Sequence, residues 1–202
     1  MGEFSHRRVS RTDDPGDGDV AQASPWRSGD RVAVRSTFVP VVLGFFGLGT
    51  GYLIYGMEEL FRFPPREPAV DRSLGVWGIF LPGLCQLLTG IILFVGPTWF
   101  QVFSGAPLYM AAVALTAYGI HWFALGCNRY RGNDPRPNAG MSLGFIVLSA
   151  LGAFVFFHAG AWPVGILFSG LLLVYLAEFA VSVRLRASEV LLGTFRLATG
   201  CG

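Results

Sequence analysis

Two apolar runs of membrane-spanning length, residues 74–95 and 107–125, lie on either side of a short uncharged connection. At about 1.5 Å of helical rise per residue, each run is long enough to cross a hydrocarbon core of about 30 Å. Three further runs, residues 38–61, 139–157 and 162–183, bring the predicted spans to five. Lipid offers no hydrogen bonds to an exposed backbone, so such spans form helices. The sequence therefore predicts an all-α, polytopic transmembrane helical bundle.

Charge is scarce in this chain. Only 14% of the 202 residues are charged, against about 25% in an ordinary soluble domain. The formal net charge of +2 is too small to indicate binding to nucleic acid, and many of the arginines lie beside the apolar runs. We therefore expect the lipid bilayer to be the partner, and we expect a multi-pass protein of the cell membrane.

The apolar runs divide the chain into three parts. Residues 1–37 are polar and without apolar periodicity, which predicts a disordered N-terminal tail. Residues 38–183 form the transmembrane helical domain. Residues 184–202 form a C-terminal tail with a weakly amphipathic pattern, and this pattern favours a segment that lies on the membrane surface.

Arginines mark one face of the predicted bundle. The first and third loops between spans each contain three arginines, whereas the second and fourth contain none. The positive-inside tendency makes the face with the arginine-rich loops cytoplasmic. The N-terminal tail has six arginines of its own, which favour the opposite orientation.

A few polar side chains interrupt the second and third apolar runs. Gln86 lies one turn after Pro82, a proline that we expect to kink the second span. A buried amide in a span needs a polar partner or a wet cavity, so Gln86 either bonds a neighbouring helix or lines a pore. For Tyr118 the sequence by itself favours a core aromatic whose hydroxyl bonds to a neighbouring helix.

His121 lies three residues after Tyr118, so both side chains lie on one helix face. An ionisable side chain within a span is a candidate functional residue. An ordinary histidine has a pKa near 6.5, which makes His121 a candidate proton-sensing residue. The alternative is that His121, close to the end of its run, faces interfacial water.

Three acidic residues lie at the ends of apolar runs. Glu58 and Glu59 end the first run, with Arg62 four residues after Glu58, a spacing typical of a solvated helix end. Glu178 lies near the end of the last run, and we interpret it as an interfacial anchor.

Motifs of enzymes and metal sites are missing from the sequence. It has no His-Glu-x-x-His, no Gly-x-Ser-x-Gly and no phosphate-binding glycine loop. The three cysteines form no Cys-x-x-Cys, and the three histidines are scattered. We therefore expect no catalytic residues, no metal site, no cofactor and no enzymatic activity.

Short motifs recur in a fixed order along the runs. Residues 43–49 read Leu-Gly-x-x-Gly-x-Gly, and residues 78–90 read Gly-Ile-Phe-x-x-Gly-x-x-Gln-x-x-x-Gly. Residues 116–122 read Thr-Ala-Tyr-Gly-x-x-Trp, and residues 175–177 read Tyr-Leu-Ala. In this order the chain resembles the acetate uptake transporter family, the succinate–acetate permease group, over roughly residues 39–126 and 143–180.

The resemblance implies a hexamer in which each protomer passes acetate or a similar small monocarboxylate through a narrow apolar pore. Hydrophobic and aromatic side chains form its constriction. By resemblance, Tyr118 and Leu48 belong to that constriction, completed from the fourth span by Leu148 or Leu151. The remaining residues that the resemblance suggests for the pore are Gln86, Thr116 and Trp122.

The chain departs from the family pattern in several places, of which two bear on transport. The family has six spans, whereas we predict five here. The family signature Asn-Pro-Ala-Pro-Leu-Gly-Leu is replaced at residues 39–45 by Val-Pro-Val-Val-Leu-Gly-Phe. These departures leave a second interpretation open, a non-transporting integral membrane subunit or scaffold that has lost the transport signature.

Overall fold

The computed structural model describes residues 38–100, 105–183 and 188–201, which are helical throughout apart from short connections. The α-helices of this part of the chain are α1 (Phe38–Phe61), α2 (Pro68–Gly78), α3 (Leu84–Val95), α4 (Ala106–Arg131), α5 (Asn138–His158), α6 (Trp162–Ser182) and α7 (Ser188–Cys201). The predicted all-α fold is confirmed. The predicted disordered tail, residues 1–37, lies outside the described residues.

Five helical rods are long and apolar enough to cross a membrane, which agrees with the number of predicted spans. The first, third, fourth and fifth correspond to α1, α4, α5 and α6. The second is a continuous helix, Pro68–Phe100, of 33 residues, longer than the apolar run that predicted it. It joins α2, α3 and two π-helical turns, Ile79–Gly83 and Gly96–Phe100.

Pro82 lies inside the first of these π-helical turns. A proline has no backbone N–H, and in an α-helix its ring clashes with the carbonyl one turn earlier. The π-helical turn absorbs this conflict as a local bulge, so that the helix continues past Pro82. The irregularity predicted at Pro82 thus takes the form of a bulge within one rod.

The rods close into a ring. The second rod packs between α1 and α4, α5 packs between α4 and α6, and α7 packs between α6 and α1. Glycines allow the closest approaches. A Cβ atom placed on Gly119 of α4 would lie 2.6 Å from the backbone nitrogen of Leu87 in α3, which is closer than real Cβ contacts.

Helix α7 occupies a sixth position in the ring, which the sequence did not predict. Its 14 residues extend over about 21 Å, too short to cross the hydrocarbon core. We expected this segment to lie on the surface, but one face packs against α1 and α6 and buries Leu192 and Arg196. The reason is a pair of glycines seven residues apart, because Gly193 and Gly200 let the helix lie directly against α1.

The two ends of the ring differ in charge. Glu58 near the end of α1 is ion-paired with both Arg66 of the first loop and Arg129 near the end of α4. The first and third loops therefore lie at the same end, as five spans require. We call this end, with loops 62–67 and 132–137, the arginine face.

Candidate functional site

An apolar cavity of about 190 Å³ lies in the half of the ring away from the arginine face. Leu48 of α1 and Tyr118 of α4 both line it. The other lining residues are Val41, Phe45, Pro107, Leu108, Ala111, Ala114, Leu115, Phe156, Val164, Leu167, Phe168 and Leu171. Apart from the hydroxyl of Tyr118, the side chains around this cavity are hydrocarbon, so it suits a solute that is apolar or uncharged.

Tyr118 forms the polar edge of this cavity. Its side chain is 1% exposed, and its hydroxyl lies 2.9 Å from the Oγ atom of Ser149 in α5. The ring of Tyr118 stacks on Tyr175 of α6, with centroids 5.5 Å apart. Tyr118 thus connects three helices of the ring.

Aromatic side chains fill the axis between the cavity and the arginine face. Trp122 contacts Tyr52 and Tyr55 of α1, with ring centroids 5.6 Å and 5.1 Å away. Tyr175 stacks on Phe145 of α5 at 4.9 Å. We call the following set the aromatic layer: Tyr52, Tyr55, Tyr118, Trp122, Phe145 and Tyr175. All six side chains are buried, so this layer closes the axis in the conformation described.

Four buried ionisable side chains lie beside the aromatic layer. Arg196 of α7 is ion-paired with Glu59 of α1, and its Nη2 atom lies 3.6 Å from Oε2 of Glu178 in α6. The other carboxylate oxygen of Glu178, Oε1, lies 3.4 Å from Nε2 of His121 in α4. We call Glu59, His121, Glu178 and Arg196 the inner cluster. Four helices therefore contribute one ionisable side chain each.

The inner cluster corrects three expectations. Glu59 and Glu178, interpreted as a solvated helix end and an interfacial anchor, are buried within the ring. The same holds for Glu58, which is fully buried. His121 is 2% exposed, so its side chain does not face interfacial water. In each case a helix distant in sequence covers a position that the sequence places near the end of a span.

A second set of ion pairs lies at the arginine face. Glu58 pairs with Arg66 and Arg129, and Nε of Arg129 lies 3.2 Å from Oδ1 of Asp71. Glu189 of α7 lies 2.8 Å from the Nη2 atom of Arg62. These pairs connect the first loop to α1, α4 and α7.

Two arginines outside the spans have raised pKa values. Burial by itself lowers the pKa of the Arg196 guanidinium, but the carboxylates of Glu59 and Glu178 outweigh burial and raise the pKa above its usual value. Burial also acts to lower the pKa of Arg66, but the hydrogen bond to Glu58 and the negative charges of Glu58 and Glu189 together outweigh burial and raise the pKa. Both guanidinium groups are therefore charged at ordinary pH.

The remaining residues suggested for the pore lie away from the cavity. Gln86 is fully buried, and neither polar atom of its amide has a hydrogen-bond partner among the described residues. Thr116 lies against Gly90, between α3 and α4. Trp122 belongs to the aromatic layer. Leu148 is half-buried and packs against the core, and Leu151 is exposed.

Sequence reasoning missed much of the site. Arg196 and Glu59 were not candidates, and neither were Tyr52 and Phe145. A signal for Arg196 exists, because a single arginine occurs between Gly193 and Gly200 in an otherwise uncharged segment. Small residues at that spacing indicate a packed helix face, and a charge on such a face needs a buried partner.

Comparison of the chain with protein-family models, with curated proteins and with solved structures gives no match.

Proposed function

We propose that this bundle is a transporter or channel of the cell membrane that passes acetate or similar short monocarboxylic acids along its axis, in their neutral form. One observation carries this function. Leu48 and Tyr118, which the family resemblance assigns to a constriction, lie on different helices and line the same cavity. Neither the spacing of Leu48 and Tyr118 in the sequence nor their residue types require that they line one cavity.

The cavity supports the size and charge of the solute. Its volume of about 190 Å³ corresponds to about six waters of liquid, which leaves room for acetic acid. Transfer of a carboxylate into such surroundings costs far more than transfer of a neutral group. The neutral acid loses less hydration and can bond to the Tyr118 hydroxyl. We therefore assign the neutral acid as the species that enters.

Passage requires a change in the aromatic layer. Tyr118, Trp122 and Tyr175 are each 1% exposed, so a solute in the cavity reaches the arginine face only when some of these rings move. Rotation of aromatic side chains is a local change that leaves the ring of helices intact. We place the gate of the transport path at this layer.

The proposed function is tested by uptake of labelled acetate into proteoliposomes at pH 5 and pH 7. Uptake through the protein should be faster at pH 5 than at pH 7. At pH values above the pKa of a carboxylic acid, each decrease of one pH unit raises the neutral fraction about tenfold. Leu48→Trp fills the cavity and should reduce uptake at least tenfold. Leu43→Trp is the matched control, since Leu43 is an exposed leucine on the same helix. Empty liposomes give the rate at which the acid crosses lipid unaided.

Uptake equal to that of empty liposomes at both pH values would contradict transport. Equal losses in Leu48→Trp and Leu43→Trp would show that the cavity is not the path.

The second interpretation, a non-transporting membrane subunit or scaffold, is favoured by the closed aromatic layer. For transport we expect a homo-oligomer with one path per chain, a hexamer by resemblance. For a scaffold we expect a different protein in fixed stoichiometry. Cross-linking and mass measurement of the complex extracted from its own membrane distinguishes the two.

A further inference from the structure

The inner cluster contains an unequal number of charges. Glu59 and Glu178 contribute two negative charges, and Arg196 contributes one positive charge. One proton balances the sum, and the groups of the cluster that can take it up are His121 and the two carboxylates. We propose that the inner cluster is a binding site for one proton, which is held by His121 against Glu178.

The surroundings of the His121 ring support this assignment independently of the charge count. Its Nε2 atom lies 3.4 Å from Oε1 of Glu178, and its Nδ1 atom lies 3.4 Å from the sulfur of Met141 in α5. A carboxylate oxygen and a thioether sulfur both accept hydrogen bonds and cannot donate them. A neutral imidazole has one N–H, so one ring nitrogen would direct its lone pair at an acceptor. The imidazolium has an N–H for each.

The other groups near this pair leave the charge count unchanged. Among the described residues, the further titratable and charged side chains that face the inner cluster are Tyr52, Tyr55, Tyr118, Tyr175, Glu58, Arg66 and Arg129. Tyrosines are neutral at ordinary pH. Glu58 is paired with Arg66 and Arg129, and Arg129 is also paired with Asp71, so these two carboxylates and two guanidinium groups balance one another. From α5, Met141 and Phe145 contact the His121 ring, and neither is charged.

Because the four side chains of the inner cluster are buried, an unbalanced charge among them would be unfavourable. His121 and Arg196 are 2% and 3% exposed, and Glu59 and Glu178 are 7% and 5% exposed. An uncompensated charge in such surroundings is strongly unfavourable. Loss of the proton would leave one negative charge unbalanced among α1, α4, α6 and α7. The proton is therefore part of the packed bundle, whether or not the chain transports a solute.

Histidine NMR tests this site directly. The chain has three histidines, His6, His121 and His158, so ¹⁵N-histidine labelling of the full-length protein in lipid nanodiscs gives three pairs of ring signals. His6→Gln and His158→Gln leave the signals of His121. At pH 7 we expect both ring nitrogens of His121 to be protonated. A singly protonated ring in the wild-type protein would overturn the proposal.

Removal of one negative charge should release the proton. Glu178→Gln keeps the side-chain shape and makes the cluster neutral without a proton, so His121 should lose the imidazolium signals at pH 7. Glu59→Gln should also remove the imidazolium signals of His121, and it provides the test if Glu178→Gln fails to fold. Glu189→Gln removes a carboxylate at the exposed pair with Arg62 and should leave the signals unchanged.

Imidazolium signals that persist in the folded Glu178→Gln and Glu59→Gln variants would overturn the assignment of the proton to this cluster. Failed acetate uptake with an intact imidazolium would contradict the proposed transport alone.

Discussion

The Arg196 guanidinium of α7 is ion-paired with the Glu59 carboxylate of α1, 137 residues earlier in the chain, and both side chains are buried. The pair connects the last described helix to the first and so completes the ring. Charged pairs in such surroundings are expensive to break, because the remaining partner keeps its charge without compensation.

Arg196→Gln should therefore destabilise the bundle by about 3–5 kcal/mol, since it leaves the buried carboxylate of Glu59 without its cation. Arg62→Gln is the control. It removes an arginine from an exposed pair with Glu189, and such pairs contribute about 0–1 kcal/mol. Unfolding of both variants in mixed micelles measures the difference. Equal losses of stability in the two variants would mean that the burial of Arg196 does not determine its contribution to stability.

Tyr118 and Ser149 should be energetically coupled through their hydroxyl groups. In a double-mutant cycle of Tyr118→Phe and Ser149→Ala, we expect a coupling energy of about 0.6 kcal/mol, the average for side-chain hydrogen bonds between membrane helices. Ser169→Ala serves in the control cycle, because the hydroxyl of Ser169 donates to the carbonyl of Gly165 instead. A coupling near zero in the first cycle would show that the 2.9 Å contact stabilises nothing.

The contact between α3 and α4 should depend on Gly119. Gly119→Ala places a methyl group 2.6 Å from the Leu87 nitrogen and 2.9 Å from its Cα atom. Backbone atoms cannot rotate away, so the helices must separate, at a cost of about 1–3 kcal/mol. Gly144→Ala in α5 is the matched control, since a Cβ atom there meets nothing within 4 Å. Equal thermal stability of the Gly119→Ala and Gly144→Ala variants would contradict the close approach of α3 and α4.

The arginine face should be cytoplasmic. After replacement of the three native cysteines, Arg136→Cys and Ala159→Cys introduce thiols at opposite ends of α5, at positions that are exposed. A membrane-impermeant maleimide added to intact cells should label Ala159→Cys and not Arg136→Cys, and inverted vesicles should give the reverse. Labelling of Arg136→Cys from outside would reverse the orientation derived from the positive-inside tendency. Labelling of both thiols from one side would contradict the passage of α5 through the membrane.

Part of the site was accessible from the sequence. Leu48 and Tyr118 were named through a family resemblance, and both line the cavity. Gln86 and Thr116 were named in the same way and lie away from it, because a polar residue in a span equally well packs between helices. The resemblance gave residue positions, but the side of each helix that faces the axis depends on its neighbours.

The sequence by itself determined the five spans, since a bilayer of fixed thickness and the absence of hydrogen bonds from lipid convert length and apolar composition into helices. It also placed the arginine-rich loops at one end. Only the tertiary structure decided that α7 enters the ring and that Glu59, His121, Glu178 and Arg196 come together. Their burial is set by helices far apart in the chain, and a charge near the end of an apolar run has the same local sequence whether water or another helix covers it.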